Sequence, residues 1–397
     1  MKIIQVIGGG PNQLGLVNAA KRMGYQALVT DVNENPPARA ISDFYERIDT
    51  RDASSNLEAA IKHDICAVVT DQTDVAVPTV AYVAESMGLP GIGYDLALKF
   101  TNKYVMRSHL AGAFKSSIPA YHFFKSPADA ETFLVDAGAR RDEWIIKPHT
   151  SQGSKGVARL GTDDDAGLIW DAYIEANYNG ILVEEFIPGE EYSVEAFVCD
   201  GEVHNVAVTK KMHYSTNQCL DYRNTYLGDV DAGIESDLYQ LNAKIIRHLG
   251  LPFGATHAEY MVQESGSIYL MEIAARGGGG NISAKIVPYL TNFNPTESIL
   301  MCALGMKPLL AISDYKQRYA ILRFFDFEPG RVRSIDIGNI PEKWLLHFEL
   351  NLKVGDTIAP LKDSRDRTGY FINIGDTPDE ALEREKTINT RVSVAYD

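Results

Sequence analysis

His257-Ala258-Glu259-Tyr260-Met261-Val262-Gln263-Glu264-Ser265-Gly266-Ser267-Ile268-Tyr269-Leu270-Met271-Glu272 holds two apolar runs on either side of a Ser-Gly turn. The pattern predicts a β-hairpin. Closing it with two central residues or with four gives one register, in which Glu259 faces Glu272. Facing Cβ atoms lie about 5 Å apart, and like charges so placed repel. A hard divalent cation is the natural compensator, because Mg²⁺ commonly takes one or two carboxylates together with substrate phosphates. Relief of that repulsion predicts that an isosteric Glu272→Gln change leaves the metal-free chain equally stable or more so. The plainer alternative is an edge hairpin with solvated glutamates.

The residues around this hairpin suit an anionic ligand. Arg276 follows it, then Gly277 to Gly280, where backbone can approach a ligand and a guanidinium can grip a carboxylate or phosphate. Upstream, Ile181 to Ile187 is an apolar strand ended by Pro188-Gly189, and Asp200-Gly201 joins strands Glu191 to Cys199 and Glu202 to Lys211. A two-residue turn there sets Lys210 opposite Glu191 and Lys211 opposite Glu190. Further upstream, Trp144 to Lys147 is a strand, and Thr150 to Gly156 is a run of small and polar residues able to fold N–H groups around an anion. Asn102 to Ala111 reads as a helix, and Ser126-Pro127-Ala128-Asp129 starts another.

The first hundred residues alternate strand and helix. Ile3 to Ile7, Gln26 to Thr30 and Ile65 to Thr70 are the strands. Gln13 to Met23 and Val75 to Met87 are helices, and Ser55 to Glu58 has capping-box spacing before a third. This is a βαβ series on a parallel sheet. Gly8 to Gly10 after the first strand, with Asp31 about twenty residues on, invites a dinucleotide reading. Gln13 stands where a third glycine or alanine belongs, and no Lys-Ser or Lys-Thr follows to make a P-loop. A nicotinamide-dependent oxidoreductase is thus the rival from a different class.

At 397 residues the chain predicts two to three domains. Its net charge of −15 repels nucleic-acid phosphates and anionic lipid, so neither nucleic acid nor membrane is expected as a partner. The four cysteines, at 66, 199, 219 and 302, have no metal-like spacing and read as buried free thiols of a cytoplasmic protein. The N-terminal run lacks a cleavage site, and no stretch approaches about 18 apolar residues.

Taken in order, these segments resemble the ATP-grasp superfamily over nearly the whole chain, and most of all its carboxylate-amine ligases related to L-amino acid ligases. The resemblance implies that Lys103, in Asn102 to Arg107, and Lys147, before Pro148, touch ATP phosphates. It makes Ser151, Gly153, Ser154 and Gly156 a lid over them. In Val183 to Glu191 it gives adenine to Glu184, the Glu185 carbonyl and the Ile187 N–H, and the ribose to Glu191. Lys211 resembles the lysine that meets the γ-phosphate, although the hairpin register sets Lys210 on the Glu191 face, and the choice between them stays open. Glu259 and Glu272 would hold Mg²⁺, as one ion or two, with Mn²⁺ able to substitute. Arg276 would hold the substrate carboxylate and stabilise the tetrahedral intermediate. Biotin carboxylases and D-alanine:D-alanine ligases have Asn where this chain has Ala274, and Glu272 to Arg276 is closer to L-amino acid ligases.

The expected fold is α/β: an N-terminal parallel-sheet, Rossmann-like domain over 1–98, a bipartite ATP-grasp region over 99–310 and a β-rich C-terminal domain over 311–397. The region divides into a small subdomain, 99–182, and a large one, 183–310. The expected activity is ATP-dependent joining of a carboxylic acid to an amine through an acyl phosphate, releasing ADP and phosphate. A carboxylase of the biotin carboxylase-like branch is the nearer alternative. Small-molecule carboxylate and amine substrates are the expected partners, and a homodimer is compatible with them. Residues 213–226 and the tail are the expected substrate contacts.

Overall fold

In the first βαβ series, period and burial agree. The computed structural model describes residues 1–137, 143–161, 165–312 and 318–397. Strands β1 (Ile3–Ile7), β2 (Gln26–Asp31), β3 (Phe44–Arg47) and β4 (Ile65–Val69) form a parallel sheet in the order β3-β2-β1-β4. Both faces are covered, as parallel sheets require. One carries helix Leu14–Arg22 through Leu16 and Val17, the other helices Ala53–Lys62 and Val77–Met87 through Ala60 and Val83. Helix Pro295–Ala303, far away in sequence, also packs on the first face through Leu300 and Ala303. Leu14, at the start of the first of these helices, and Met23, just past its end, are only half buried. The capping box expected at Ser55 is replaced by Asp52, whose side chain accepts from Ser55 N at 3.0 Å. The helix begins earlier than the box implied, and Ser55 serves as donor within its first turn.

A second sheet, antiparallel in the order β5-β8-β6-β7, joins β5 (Tyr121–Phe124), β6 (Trp144–Pro148), β7 (Ala158–Arg159) and β8 (Ile181–Glu185). Helices Pro127–Ala137 and Asp165–Glu175 bury Leu134 and Ile169 against it.

The central sheet is antiparallel and runs β13-β12-β9-β10-β11-β14-β18-β16. Its strands are β9 (Glu190–Cys199), β10 (Glu202–His213), β11 (Asp221–Tyr226), β12 (Gly254–Val262), β13 (Ile268–Ala274), β14 (Tyr319–Phe324), β16 (Leu345–Leu350) and β18 (Gly369–Gly375). Helix Ala232–Leu249 packs on one face through Leu238 and Ile245, and Ile286 and Leu290 pack on the other. The tail therefore extends this sheet with β14, β18 and β16. Only β15 (Gly330–Ile337), β17 (Thr357–Ile358) and β19 (Val392–Tyr396) form a small sheet of their own.

Two β-bulges decide which side chains meet. At the Asp200-Gly201 turn both residues have positive φ (53° and 74°), and the expected pairing holds as far as Asn205 opposite Ala196. Val206 is then an extra residue, after which Lys211 faces Glu191 and Lys210 faces Tyr192. This corrects the register read from the turn and selects Lys211 as the lysine on Glu191. The β12-β13 hairpin does face Glu259 with Glu272, but by another route. Its turn closes through Gln263 N to Ser267 O with Gly266 at φ +83°, a three-residue loop, so Val262 faces Ile268. An extra residue at Met271 then restores the Glu259–Glu272 pairing.

The four thiols are free; Cys199 and Cys302 are buried, whereas Cys66 and Cys219 are half buried. Among the described residues no helix is long and apolar enough to cross a membrane.

Candidate active site

The sheets meet around a cavity of about 1150 Å³. Every residue of the expected site lines it except Gly156. That glycine, at φ +66°, lies within 3.0 Å (measured from an added Cβ) of the Ala172 backbone, so its role is to let the loop pack.

Lys103 opens the helix Lys103–Leu110, whose cap is Asn102 accepting from Val105 N at 3.1 Å. Its Nζ donates to Glu272 Oε1 and to the Ser151 carbonyl, both at 2.8 Å. Lys147, on β6, pairs with Glu184 Oε2 at 2.6 Å. Glu184 is fully buried and also receives Arg107 Nε at 2.8 Å. Burial favours the neutral acid, but Arg107 and Lys147 outweigh it and hold Glu184 down at about 2. Its carboxylate therefore holds two cations in place. Arg107, one helical turn after Lys103 on the same face, is fully buried behind the cavity lining and supports it through Glu184, a role that the sequence reading passed over.

Lys211 donates to Glu191 Oε1 at 2.9 Å and to Glu259. Burial opposes its charge, yet Glu191 and Glu259 raise its pKa well above the usual value. His257, two residues before Glu259 on the same strand face, bonds Glu195 and lies 3.4 Å from Glu259 Oε1. Burial works against the imidazolium, but Glu195 and Glu259 push His257 up to about 9. Each member of the Glu259–Glu272 pair thus has a basic partner in the protein, which corrects the expectation that only a metal compensates them.

Among the described residues no group of three or more His, Cys, Asp or Glu could hold a metal. Two facing carboxylates on the cavity wall are still the donor set that suits Mg²⁺ shared with phosphate oxygens. Glu185 and Ile187 line the cavity where β8 leads into β9.

Arg276 is gripped by Asp74, Nε at 3.0 Å and Nη2 at 2.7 Å, and its Nη1 donates to the Gly277 carbonyl. Nothing in the sequence signalled Asp74. Gly277 N donates to Asp71 at 3.1 Å, and a Cβ there would lie 2.1 Å from Ser283 Oγ, so only glycine fits. The loop after Lys147 is pinned by Gln152, whose side chain accepts from Asp74 N at 2.8 Å. Gly153 and Ser154 adopt left-handed backbone (φ +70° and +57°), and Gly153 lies against Ser364 of the tail. Residues 213–226 and the tail reach the cavity too, through Tyr214, Asn224, Arg367 and Tyr370.

The N-terminal glycine turn is occupied by its own chain. Asp31, which would meet a ribose in a dinucleotide site, accepts from Gly9 N at 2.7 Å and from Asn33 N at 2.8 Å. A Cβ at Gly9 would strike Pro36 at 2.8 Å, so this glycine serves packing.

Comparison with known proteins agrees with this geometry. Residues 141–285 match the ATP-grasp domain family, and residues 323–397 match the L-amino acid ligase C-terminal domain 2. The chain is 21% identical over 308 residues to an L-arginine-specific L-amino acid ligase of Bacillus subtilis, covering 75% of this chain and 72% of that one. It is 29% identical over 300 residues to dapdiamide A synthase of Enterobacter agglomerans, covering 72% and 69%. An L-amino acid ligase from Bacillus licheniformis shares the fold, with a TM-score of 0.80 at 19% identity over 100% of this chain and 99% of that one. With its lysines and facing carboxylates on one cavity, the chain carries an ATP-grasp domain over residues 141–285 and an L-amino acid ligase C-terminal domain 2 over residues 323–397.

Proposed function

We propose that the protein joins a small carboxylic acid to an amine at the expense of ATP, through an acyl phosphate, with release of ADP and phosphate. The observation that carries this reading is the convergence of Lys103, Lys147, Lys211 and Arg276 with the facing pair Glu259 and Glu272 on one cavity. The matched tail domain supports amide formation over carboxylation, and the two relatives above are named for ligation and synthesis.

In this reading Lys103, Lys147 and Lys211 bind the ATP phosphates, and the loop at Ser151, Gly153 and Ser154 covers them. The backbone of Glu185 and Ile187 takes the adenine, and Glu191 the ribose. Glu184 acts by holding Lys147. The acid's carboxylate attacks the γ-phosphorus, and the bond to the β–γ bridging oxygen breaks as ADP leaves. The amine then forms the C–N bond while phosphate departs. Glu259 and Glu272 would hold Mg²⁺, or Mn²⁺ in its place, which would supply positive charge to the phosphates. Arg276, aimed by Asp74, holds the acid and steadies the tetrahedral intermediate.

The test offers the standard amino acids, singly and in pairs, with Mg-ATP. The expected products are ADP and phosphate, and with hydroxylamine as the amine a hydroxamate forms. AMP and pyrophosphate would mean adenylation and overturn the reading.

A further inference from the structure

The tail brings to the cavity a hydrogen-bonded chain that nucleotide and acid leave unused. On edge strand β16 side chains alternate, so Phe348 enters the apolar cluster of Phe325 and Phe371 while His347 and Glu349 share the other face. There Lys285 Nζ donates to the Leu346 carbonyl at 3.1 Å and lies 3.0 Å from His347 Nδ1. His347 Nε2 lies 3.2 Å from Glu349 Oε2, and Asn351 Nδ2 donates to Glu349 Oε1 at 2.5 Å. An ammonium has no acceptor, so Lys285 donates to Nδ1 and the imidazole carries its hydrogen on Nε2, toward Glu349. Burial, and then Lys285 beside it, push His347 down, in keeping with a neutral ring.

Backbone features aim this chain from two directions. Lys285 belongs to a single π-turn, Ile282–Ile286, entered through left-handed Asn281 (φ +63°) directly after the glycine run. Such turns recur at functional sites. Asn281 Nδ2 donates to Tyr370 Oη at 2.6 Å, and Tyr370 is the cross-strand partner of Glu349. Gly369, beside Tyr370, brings its backbone so near that a Cβ would lie 2.2 Å from the Glu349 carbonyl oxygen.

Glu349 lines the cavity with 31% of its side chain exposed. Besides Glu143 and Glu185, the cavity is lined by six carboxylates, Asp74, Glu184, Glu191, Asp221, Glu259 and Glu272, that are each paired with a lysine or arginine. Glu349 differs, since its direct partners here are a neutral imidazole and an amide. An ionised carboxylate accepts about four hydrogen bonds, so two from His347 and Asn351 leave capacity for a donor from the cavity, with the Lys285 cation one imidazole away rather than in direct contact.

We propose that Glu349 receives the ammonium group of the amine substrate and takes its first proton, with His347, Asn351 and Lys285 as positioning residues. This rests on the ligase reading above. The ammonium gives one proton to Glu349, and the freed nitrogen pair forms the bond to the acyl carbon. As the tetrahedral intermediate collapses, the C–O bond to phosphate breaks and its electron pair leaves with phosphate. Phosphate carries off the second nitrogen proton, and Glu349 returns its own to solvent.

The experiment compares amide and hydroxamate formation in wild type and Glu349→Gln, with the standard amino acids in pairs as acid and amine. Hydroxylamine is uncharged at mildly alkaline pH and needs neither ammonium recognition nor a base. The variant is expected to lose about 100-fold in amide formation, with a raised KM for the amine, while hydroxamate formation stays near wild type. Glu349→Asp, which keeps the charge, is expected to recover part of the loss. If Glu349→Gln does not fold, His347→Gln is read for the same split in milder form. Unchanged amide formation, or equal loss of both products, overturns the proposal. A wild-type protein that makes neither product overturns the ligase reading, and the assignment of Glu349 goes with it.

Discussion

Glu184 is the residue on which the Lys147 side of the cavity depends. It lies between Arg107 and Lys147 with no solvent, and its folded pKa of about 2 is below the ordinary 4.5. A depressed carboxylate contributes stability that is complete above the unfolded value and is lost as pH falls from 4.5 through about 2. Glu184→Gln leaves two buried cations undercompensated, so urea melts at neutral pH should show a loss of about 3–5 kcal/mol. The gap from wild type should narrow on acidification below 4.5; a gap independent of pH would show that the charge does not matter. Glu272 is 23% exposed and partners Lys103, so Glu272→Gln should cost less, about 1 kcal/mol. That sign is opposite to the one that unrelieved repulsion with Glu259 would give.

At the level of elements, the loop between β6 and β7 is held from three sides. Ser151 is tied to Lys103, Gln152 to Asp74, and Gly153 to Ser364, whose N–H donates to the Gly153 carbonyl at 3.3 Å. Next to Ser364, Arg365 bridges Glu175 at 2.6 Å and Asp363 at 2.7 Å, so the tail also clasps the helix behind the loop. The Arg365 side chain is 55% exposed, and such a bridge is worth at most about 1 kcal/mol of global stability. Arg365→Ala should therefore leave the melting temperature almost unmoved while loosening the loop. Trypsin should cut faster at Lys155, and the ATP concentration for half-maximal rate should rise. Cleavage at the wild-type rate would show that the tail does not hold the loop.

At the scale of the whole molecule, a chain of net charge −15 gathers Lys103, Lys147, Lys155, Arg159, Lys211 and Arg276 around one cavity. Carboxylates share that lining and pair with Lys103, Lys147, Lys211 and Arg276, so an anion would be met by individual cations at contact distance rather than by the field of the whole molecule. Mg-ATP at 100 times its Kd should stabilise the fold by about 2.7 kcal/mol. NADH should not, because the N-terminal glycine turn has already bound Asp31 of its own chain. Thermal melts with each nucleotide check this, and stabilisation by NADH alone would reverse the assignment.

What the sequence determined by itself is local. The strand-helix alternation of the first hundred residues, the Asp200-Gly201 turn and the glycine loop after Lys147 all rest on periodicity and turn chemistry within a few residues. The tertiary structure decided the rest. Single extra residues at Val206 and Met271 leave no trace in composition, yet they put Lys211 rather than Lys210 on Glu191 and set Glu259 against Glu272. The partners that tune the site come from far along the chain: Glu184 for Arg107, Asp74 for Arg276, Glu349 for Lys285 through His347. No pattern in one segment can announce a charge that another segment will supply, because the pairing energy exists only after the sheets have packed.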